Sequence, residues 1–585
     1  MKEPLSPASD APQSSPRRRS AEWFGDRSKT GFVARHHLRA AGLTSRAFDG
    51  RPVVGIANSW SELTPCNLHL RTLAEAVKRG VHQAGGVALE FPMLSLGEPL
   101  MRPSTMFYRN MMAMELEELI RANPLDSVVL LTGCDKTTPG ALMGAASVDL
   151  PAVMLTGGPM LNGRFRGRTV GSGTDVWKMT EALRAGDMSD RDFAEFECSL
   201  NRSAGHCMTM GTASTMACLA EAMGMQLPGA AALPAVDSRR VALAEETGSR
   251  AVELAREDLR PSTIMTRSAF RNAVVVNAAI GGSTNAILHL LAIAGRLGIP
   301  LTLDQIDEWG STIPLLVDLM PSGRFLMEEF AYAGGVEAVI AELTSELDLE
   351  CLTVGGRTLA EANSHAQRHD PVVIRSLDDP VLAAGNGTTV VYGNLAPRGA
   401  VIKVSAASPE LLHHAGPALV FDSLDDYLAV ADDPLLQVSA ETVLVVRNLG
   451  PRGYPGMPEV GNFPIPARLL AEGVRDMVRI SDARMSGTAY GTVLLHVCPE
   501  AAAGGPLGLV RTGDLITLDV RARTLSMAVS DEELQRRKAE WVRPFADERR
   551  GWAKLYREHV LQADQGVDFD FLVGMSGSDV PRQPF

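Results

Sequence analysis

The stretch SVVLLTGCDKTTPGALMGAA, residues 127–146, decides the fold of this chain. It opens with an apolar run, residues 127–131, that is typical of a buried strand. A loop containing Cys134-Asp135-Lys136 follows, and the small apolar residues 141–146 then predict a helix. A strand, a loop and a helix in this order form the repeating unit of an α/β domain with a largely parallel sheet.

The same unit occurs on both sides of this stretch. Residues 53–57 form a short apolar run, and apolar residues then recur at helical spacing from Leu70 to Val81, before Gly85-Gly86. Residues 151–155 begin another unit. Glycine commonly ends a helix, so Gly85-Gly86 marks the predicted end of this one. Residues 21–370 are therefore predicted to form a large α/β domain.

The carboxyl ends of the predicted strands are where functional residues are expected. In open α/β sheets, ligands bind beyond these ends. Cys66 and Cys134-Asp135-Lys136 follow two of the apolar runs, and Glu98 follows the strand-like residues 91–96. We expect these side chains to lie near one another.

The pattern changes after about Asp370. Residues 388–392, 400–404, 441–446 and 514–520 are short β-rich runs separated by turn residues, and residues 531–560 are charged and helical in pattern. We predict a smaller β-rich domain with a C-terminal helical segment over residues 371–585. Residues 1–20, rich in Pro and Ser and without an apolar signal core, are predicted to be a disordered leader.

Composition narrows the class of function. The chain has 585 residues, 45% of them hydrophobic, and a net charge of −13. An acidic chain without basic runs is a poor candidate for nucleic-acid binding. The uncharged residues 272–295 are interrupted by Gly281-Gly282-Ser283-Thr284-Asn285, which argues against a membrane span. Seven cysteines in a chain of this length do not form a disulfide framework, and a reducing cytoplasm is expected.

Three of the cysteines have neighbours that suggest a metal centre. Cys66, Cys134 and Cys207 each lie in a predicted loop before a helix. Three thiolates cannot complete the four ligand positions of a 2Fe–2S cluster, so one iron would stay open to substrate as a Lewis acid. The alternative is that all three pack as small apolar groups, the interpretation that we apply to the other four cysteines. These are Cys198, Cys218, Cys351 and Cys498.

Carboxylates provide candidates for a second, harder site. Glu98, Asp135 and Glu459 offer oxygen ligands that suit Mg²⁺, although each alone could be a solvated or capping carboxylate. Lys136 beside Cys134 and Asp135 is a candidate buried amine, and the alternative is a surface lysine.

Ser486 lies in the run Ser-Asp-Ala-Arg-Met-Ser-Gly-Thr, residues 481–488, and could be a reactive serine or a turn serine. No Gly-x-Ser-x-Gly elbow surrounds it, so a hydrolase triad is unsupported. His206 and His289 are interpreted as structural histidines.

Six motifs in order resemble the dihydroxy-acid and sugar-acid dehydratase family over about residues 23–543. They are Thr64-Pro65-Cys66-Asn67, residues 133–140, Gly205-His206-Cys207, residues 281–285, Gly456-Met457-Pro458-Glu459 and residues 481–487. The resemblance implies a large α/β domain, a smaller swivelling barrel-like domain, and a homodimer or homotetramer.

The resemblance also implies specific roles for the candidate residues. It places a 2Fe–2S cluster on Cys66, Cys134 and Cys207. It places Mg²⁺ on Glu98, Asp135, Glu459 and a carbamylated Lys136. It makes Ser486, as an alkoxide, the base that removes the C2 proton of a 2,3-dihydroxy acid, which becomes a 2-keto-3-deoxy acid.

Residues 95–106 resemble the aldonate-type members, such as those acting on arabinonate or xylonate. The alternative substrate is 2,3-dihydroxyisovalerate, the branched-chain dihydroxy acid. Two other classes remain, a non-catalytic iron–sulfur carrier and a Mg²⁺-dependent enzyme without a cluster. A carrier would normally use four ligands and need no carboxylate cluster.

Overall fold

The computed structural model describes residues 18–577 and 580–581. Its first sheet has four parallel strands in the order β2-β1-β3-β4. The strands are β1 Val53–Asn58, β2 Val87–Pro92, β3 Ser127–Thr132 and β4 Ala152–Thr156. The central strands β1 and β3 are buried along their whole length, which explains why they are continuous apolar runs.

Helices surround this sheet and fill the rest of the N-terminal half. They are α1 Arg19–Phe24, α2 Lys29–Leu38, α3 Leu70–Gln83, α4 Thr105–Ala122, α5 Thr137–Val148, α6 Thr174–Ala185, α7 Asp190–Leu200, α8 Thr212–Ala222, α9 Ser238–Glu257, α10 Pro261–Ile264, α11 Arg267–Ala279, α12 Asn285–Arg296, α13 Leu303–Ser311, α14 Met327–Ala333, α15 Gly335–Glu342 and α16 Leu359–Ala362. A short hairpin, β5 Gly163–Phe165 and β6 Arg168–Val170, precedes α6.

The C-terminal half contains a mixed six-stranded sheet and a hairpin. The hairpin strands are β7 Thr388–Val391 and β8 Ala400–Lys403. The sheet strands are β9 His413–Phe421, β10 Val443–Val446, β11 Arg479–Ile480, β12 Val493–Leu494, β13 Leu515–Asp519 and β14 Thr524–Met527, in the order β12-β11-β10-β9-β13-β14. Its helices are α17 Leu424–Leu428, α18 Ala467–Ala471, α19 Asp531–Glu540 and α20 Gly551–His559.

The six-stranded sheet curls because the hairpin meets both of its edges. Tyr392, just after β7, forms a bridge with Thr524 of β14, and Val401 of β8 forms a bridge with Leu495, just after β12. Apolar side chains from the hairpin and the sheet share one buried core. The β-rich half is thus a curled, partly closed sheet.

Two expected boundaries differ from the structure. The expected strand at residues 91–96 is β2 at Val87–Pro92, since residues 87–92 pair with β1 and Pro92 ends the strand. The predicted leader falls mostly on residues 1–17, which lie outside the described residues. Its last two residues, Arg19 and Ser20, belong to α1, and the Ser20 backbone N–H donates to buried Asp126 at 2.9 Å.

The uncharged residues 272–295 divide between α11 and α12, with the Gly281–Thr284 loop between them. None of the helices within the described ranges is long and apolar enough to cross a membrane.

Candidate active site

The predicted residues do meet beyond the carboxyl end of the parallel sheet. Cys66 lies in the 3₁₀ turn between β1 and α3, Glu98 between β2 and α4, and Cys134–Lys136 between β3 and α5. Cys207 arrives differently: the chain leaves β4, forms β5 to α7, and returns so that His206 pairs with Pro159 just before α8. The β-rich half adds Glu459 from the loop between β10 and α18, and Ser486 from the loop between β11 and β12.

Glu98, Asp135 and Glu459 form one carboxylate cluster. One oxygen from each lies within 4.8 Å of the others, and this is the only such group of three acidic, His or Cys ligands in the described part of the chain. The residues are separated by up to 361 positions, so only folding brings them together. Three convergent oxygens offer the kind of ligand that a hard divalent cation takes.

Lys136 is completely buried beside this cluster. Its Nζ lies 3.2 Å from Glu98 Oε2, 3.2 Å from Glu459 Oε1 and 3.6 Å from Asp135 Oδ2. Burial disfavours the ammonium, but the three carboxylates outweigh burial and raise its pKa. The surface-lysine alternative is therefore wrong for this residue.

Burial and crowding shift the pKa values of the carboxylates in this cluster. Burial, together with the charges of Glu459 and Glu98, raises the pKa of Asp135 to about 7, against the opposing effect of Lys136. Glu459 is buried too, yet Lys136 and Arg484 hold its pKa below the usual value. Three carboxylates meet only two cationic side chains here, so a further positive charge would stabilise the group.

Two side chains that the sequence did not single out orient Glu459. Arg484, fully buried, donates from Nη1 to Glu459 Oε1 at 2.7 Å and from Nε to the Met457 carbonyl at 2.6 Å. Asn285 Nδ2 donates to the same Glu459 oxygen at 2.7 Å. Both belong to quoted motifs, but nothing in either motif indicates a partner 25 or 174 positions away.

The three cysteine side chains approach one another next to the carboxylates. A hydrogen bond with Cys134, burial, and the nearby Cys134 and Cys207 sulfurs all raise the pKa of the Cys66 thiol. Burial and the charge of Asp135 raise the pKa of Cys207 to about 12. Within the described residues the three sulfurs do not meet the 4.8 Å spacing of a single-ion cage.

The other four cysteines lie apart from this cluster. Cys198 is exposed on α7, Cys218 is buried in α8, Cys351 is half-buried near Asn272, and the Cys498 thiol donates to Asp564 at 3.2 Å. His206 and His289 are buried, and burial lowers the pKa of His206 to about 3 and that of His289 well below its ordinary value. Both are thus neutral side chains packed near the site.

Ser486 lies in a tight loop and is half-buried. Its Oγ lies 2.9 Å from Thr488 Oγ1. The next residue must be glycine, because a Cβ at Gly487 would lie 2.7 Å from both the Ser283 hydroxyl and the Thr212 backbone nitrogen. The loop is therefore pressed against the N-terminus of α8 and against the Gly281–Asn285 motif, which helps to position it.

Comparison with known proteins identifies the family. The model described as dihydroxy-acid/6-phosphogluconate dehydratase N-terminal matches residues 51–362, and the corresponding C-terminal model matches residues 372–567. The chain is 56% identical over 576 residues to an L-arabonate dehydratase of Azospirillum brasilense, covering 97% of this chain and 98% of that one.

Two further relatives differ in their named substrates. The chain is 51% identical over 568 residues to a 6-deoxy-6-sulfo-D-gluconate dehydratase of Pseudomonas putida, with 97% and 98% coverage. It is 40% identical over 540 residues to a dihydroxy-acid dehydratase of Caldanaerobacter subterraneus, with 91% and 96% coverage. The chain belongs to the dihydroxy-acid and sugar-acid dehydratase family, and it is an enzyme of the hydro-lyase class.

Proposed function

We propose that this enzyme dehydrates an aldonate of five or six carbons to a 2-keto-3-deoxy acid. The observation that carries the proposal is the meeting of three thiols, three carboxylates, a buried lysine and a loop serine at one sheet edge. An electron-carrying iron–sulfur protein would need no group of carboxylates. A Mg²⁺-dependent enzyme without an iron–sulfur cluster would need no set of three thiols.

The residues fit the two cofactors that the family resemblance implies. Cys66, Cys134 and Cys207 would hold a 2Fe–2S cluster. Glu98, Asp135, Glu459 and Lys136, the last carbamylated, would hold Mg²⁺. When bound, the cluster supplies a Lewis acid for the departing hydroxide and Mg²⁺ neutralises the substrate carboxylate. The mutual repulsion of Glu98, Asp135 and Glu459, which contributes to the raised pKa of Asp135, supports their assignment as ligands of a cation.

The chain's own residues would bind, orient and deprotonate the substrate. Ser486, half-buried in the loop after β11, would take the proton from C2 of the substrate. Arg484 and Asn285 would hold Glu459 in one orientation, and the Thr105 hydroxyl, which donates to Glu98, would do the same for that carboxylate. After loss of the C3 hydroxyl, the enol product tautomerises to the keto acid.

The sugar-acid choice rests on the relatives. Two relatives with sugar-acid names, the L-arabonate and 6-deoxy-6-sulfo-D-gluconate dehydratases, are 56% and 51% identical to this chain, whereas the dihydroxy-acid dehydratase of Caldanaerobacter subterraneus is 40% identical. A site that pairs the hydroxyls of a sugar tail would penalise an alkyl tail, because its polar groups would lose their partners.

We also propose the larger organisation implied by the resemblance. Residues 21–370 and 371–585 would act as two domains, the second able to swivel, in a homodimer or homotetramer. All seven cysteines are free, which supports a reducing compartment, and we place the enzyme in the cytoplasm.

A substrate panel tests the function. Protein purified without oxygen is incubated with pentonates, hexonates and 2,3-dihydroxyisovalerate, and 2-keto acid formation is followed. We expect the highest kcat/KM for a pentonate or hexonate. A higher value for 2,3-dihydroxyisovalerate would assign the branched-chain reaction instead, and no 2-keto acid from any substrate would contradict dehydration.

A further inference from the structure

Two buried carboxylates outside the proposed chemistry hold the loop that carries Glu459. This loop, the Glu459 loop, comprises residues 447–466 between β10 and α18. Asp482 lies in the loop after β11, and Glu500 lies after β12. Both carboxylates belong to residues that are 1% exposed. Buried carboxylates are costly, so their contacts indicate what they do.

Asp482 joins the start of the Glu459 loop to the segment after β12. Its Oδ1 accepts from the Leu449 backbone N–H at 2.8 Å, and its Oδ2 accepts from the Ala501 backbone N–H at 2.9 Å. Arg484, two residues further along, holds the later part of the same loop, because its Nη1 donates to the Glu459 carboxylate. The loop after β11 is therefore tied to the Glu459 loop at two points.

Glu500 holds the next residues of the Glu459 loop. Its Oε2 accepts from the backbone N–H groups of Arg452 and Gly453, at 2.9 and 3.0 Å, and its Oε1 accepts from Gln562 Nε2 at 2.7 Å. A Cβ at Gly450 would lie 2.6 Å from Glu500 Oε2, so the loop passes close against this carboxylate. The loop is therefore fixed at its start before it reaches the candidate ligand.

Only the ionised form of each carboxylate can accept all of these hydrogen bonds. Both oxygens of Asp482 and both oxygens of Glu500 face N–H donors, and a protonated carboxyl would turn an O–H toward one of them. Within the described part of the chain, no cationic side chain pairs with either carboxylate. Burial and the charge of Asp482 raise the pKa of Glu500 to about 7, and burial raises the pKa of Asp482 to about 6.

Two further ionisable side chains lie next to Glu500. Burial, with a smaller contribution from the charge of Glu500, raises the pKa of Tyr556 on α20, so this phenol stays neutral. Arg452 turns its guanidinium away to the Val560 carbonyl, to which Nη2 donates at 3.3 Å. Among these groups, only the two carboxylates change charge near neutral pH.

We propose that Asp482 and Glu500 are positioning residues that hold Glu459 ready to bind a divalent cation. The inference rests on the proposed role of Glu459 as a metal ligand. Both residues act through the backbone of the Glu459 loop. An amide in place of either carboxylate would present N–H groups to backbone N–H donors, so the loop would lose hydrogen bonds and Glu459 its fixed orientation. Residues that orient a metal ligand typically contribute ten- to hundredfold to metal affinity.

The test measures Mn²⁺ affinity by electron paramagnetic resonance, on anaerobic protein that retains its iron and has been stripped of Mg²⁺. We expect Glu500→Gln and Asp482→Asn to bind Mn²⁺ roughly ten- to hundredfold more weakly than the wild type at pH 8. Gln562→Met, which removes one donor and no charge, should weaken binding by less. Iron content should stay unchanged, because the three candidate cluster cysteines lie in the α/β half.

The matched control is Glu221→Gln on α8. Glu221 is also a buried carboxylate that accepts two backbone N–H groups, from Gly229 at 2.9 Å and from Ala231 at 2.8 Å, and burial above all raises its pKa to about 8. Its partners lie outside the Glu459 loop, so this variant should lose stability and keep its Mn²⁺ affinity. Equal weakening in Glu221→Gln and Glu500→Gln would indicate general destabilisation and overturn the inference.

The pH dependence separates an effect of the carboxylate from an effect of packing. Acid protonates Glu500 of the wild type near pH 7, whereas glutamine does not titrate. The ratio of the Mn²⁺ dissociation constants, Glu500→Gln over wild type, should therefore shrink toward one between pH 8 and pH 6. Protonation of the metal ligands weakens both enzymes alike and cancels in this ratio. A ratio that stays constant would overturn the inference, as would loss of iron together with Mn²⁺ affinity.

Failure of the underlying metal site gives a different result. A wild-type enzyme that binds no Mn²⁺, or a Glu459→Gln enzyme with wild-type affinity, would overturn the role of Glu459 and this inference with it. Normal binding by the wild type, weak binding by Glu459→Gln and wild-type affinity in Glu500→Gln would overturn this inference alone. If Glu500→Gln does not fold, Asp482→Asn and Gln562→Met decide by the same criterion.

Discussion

At the scale of single residues, the loop around Ser486 contains the side chains that tolerate substitution least. Gly487 admits no side chain there, and the neighbouring Arg484 is tied to Glu459. Ser486 itself makes few contacts, which is the expected property of a group that must reach a substrate. Its removal should therefore affect turnover and leave the folded site unaltered.

We predict that Ser486→Ala retains iron, Mg²⁺ and thermal stability and loses roughly a thousandfold in kcat, the scale of a lost catalytic base. Steady-state kinetics and metal analysis on one preparation check this. Ala489→Gly, three residues further on in the same loop, is a control for disturbance of the backbone and should lose much less. Near-normal turnover by Ser486→Ala would move the base role to another residue.

Sequence reasoning identified the side chains that offer ligand atoms and missed those that orient them. Cys134, Asp135 and Glu98 could be placed because each follows a predicted strand of one sheet. The roles of Asn285 and Arg484 could not be placed, because Glu459, the partner of both, lies 174 and 25 positions away and no local pattern records these contacts.

At the scale of elements, strand β8 links the β-rich half to the site. Lys403 at its end is buried, and its Nζ donates to the Gly281 carbonyl at 2.7 Å, at the start of the motif that contains Ser283 and Asn285. Burial lowers the pKa of Lys403 from 10.5 to about 7. The unfolded chain therefore binds more protons than the folded chain between about pH 7 and pH 10.5, and stability from this group rises with pH in that window.

We predict that the melting temperature of Lys403→Met, relative to that of the wild type at the same pH, falls steadily as the pH rises from 6 to 9. The methionine has no charge to bury, so it avoids a cost that the lysine has at low pH and escapes at high pH. Thermal melts at several pH values measure the difference. Lys178→Met, at an exposed lysine on α6, should show a constant difference, and a constant difference for Lys403→Met would contradict the buried-amine account.

The C-terminal segment after α20 is held to the α/β half by buried charges. Arg296 of α12 donates to both oxygens of Asp568, at 2.6 and 3.0 Å, and Arg109 of α4 donates to the Gly566 and Val567 carbonyls at 2.9 Å. Loss of one partner would leave a buried guanidinium short of negative charge.

We predict that Asp568→Asn lowers the apparent free energy of unfolding by about 3 kcal/mol. Urea denaturation measures the change. Asp570→Asn is the matched control, because Asp570 is exposed and, among the residues that the structure describes, pairs only with His559 at 3.0 Å, so its loss should cost about 0.5 kcal/mol or less. Equal small effects at both positions would show that the segment is not held by this ion pair.

Strands and helices could be predicted where the apolar residues follow a single clear spacing. Strands β1 and β3 are apolar because both faces are buried, and α3 keeps its buried residues on one face from Leu70 to Val81. Helix α1 was not predicted, because Ser20 ends a polar segment rich in Pro and Ser. The residue that holds Ser20 in place, Asp126, lies 106 positions away. The curl of the six-stranded sheet depends on two single bridges, which no run of residues encodes.

At the scale of the whole molecule, the site needs both halves. The α/β half provides the cysteines, Glu98, Asp135 and Lys136, and the β-rich half provides Glu459, Arg484 and Ser486. The family models divide the chain at nearly the same place, with a gap at residues 363–371. The swivelling of the second domain and the oligomeric state stay predictions.

The most direct test of the central claim is the iron content and colour of cysteine variants, measured with 2-keto acid formation in the same anaerobic preparations. The account predicts about two irons per chain in the wild type. It predicts loss of colour, iron and activity together in Cys66→Ser, Cys134→Ser and Cys207→Ser, and none of these losses in Cys351→Ser. Full iron and activity in any of the first three variants, or an equal loss at Cys351, would contradict the assignment of the cluster and of the chemistry built on it.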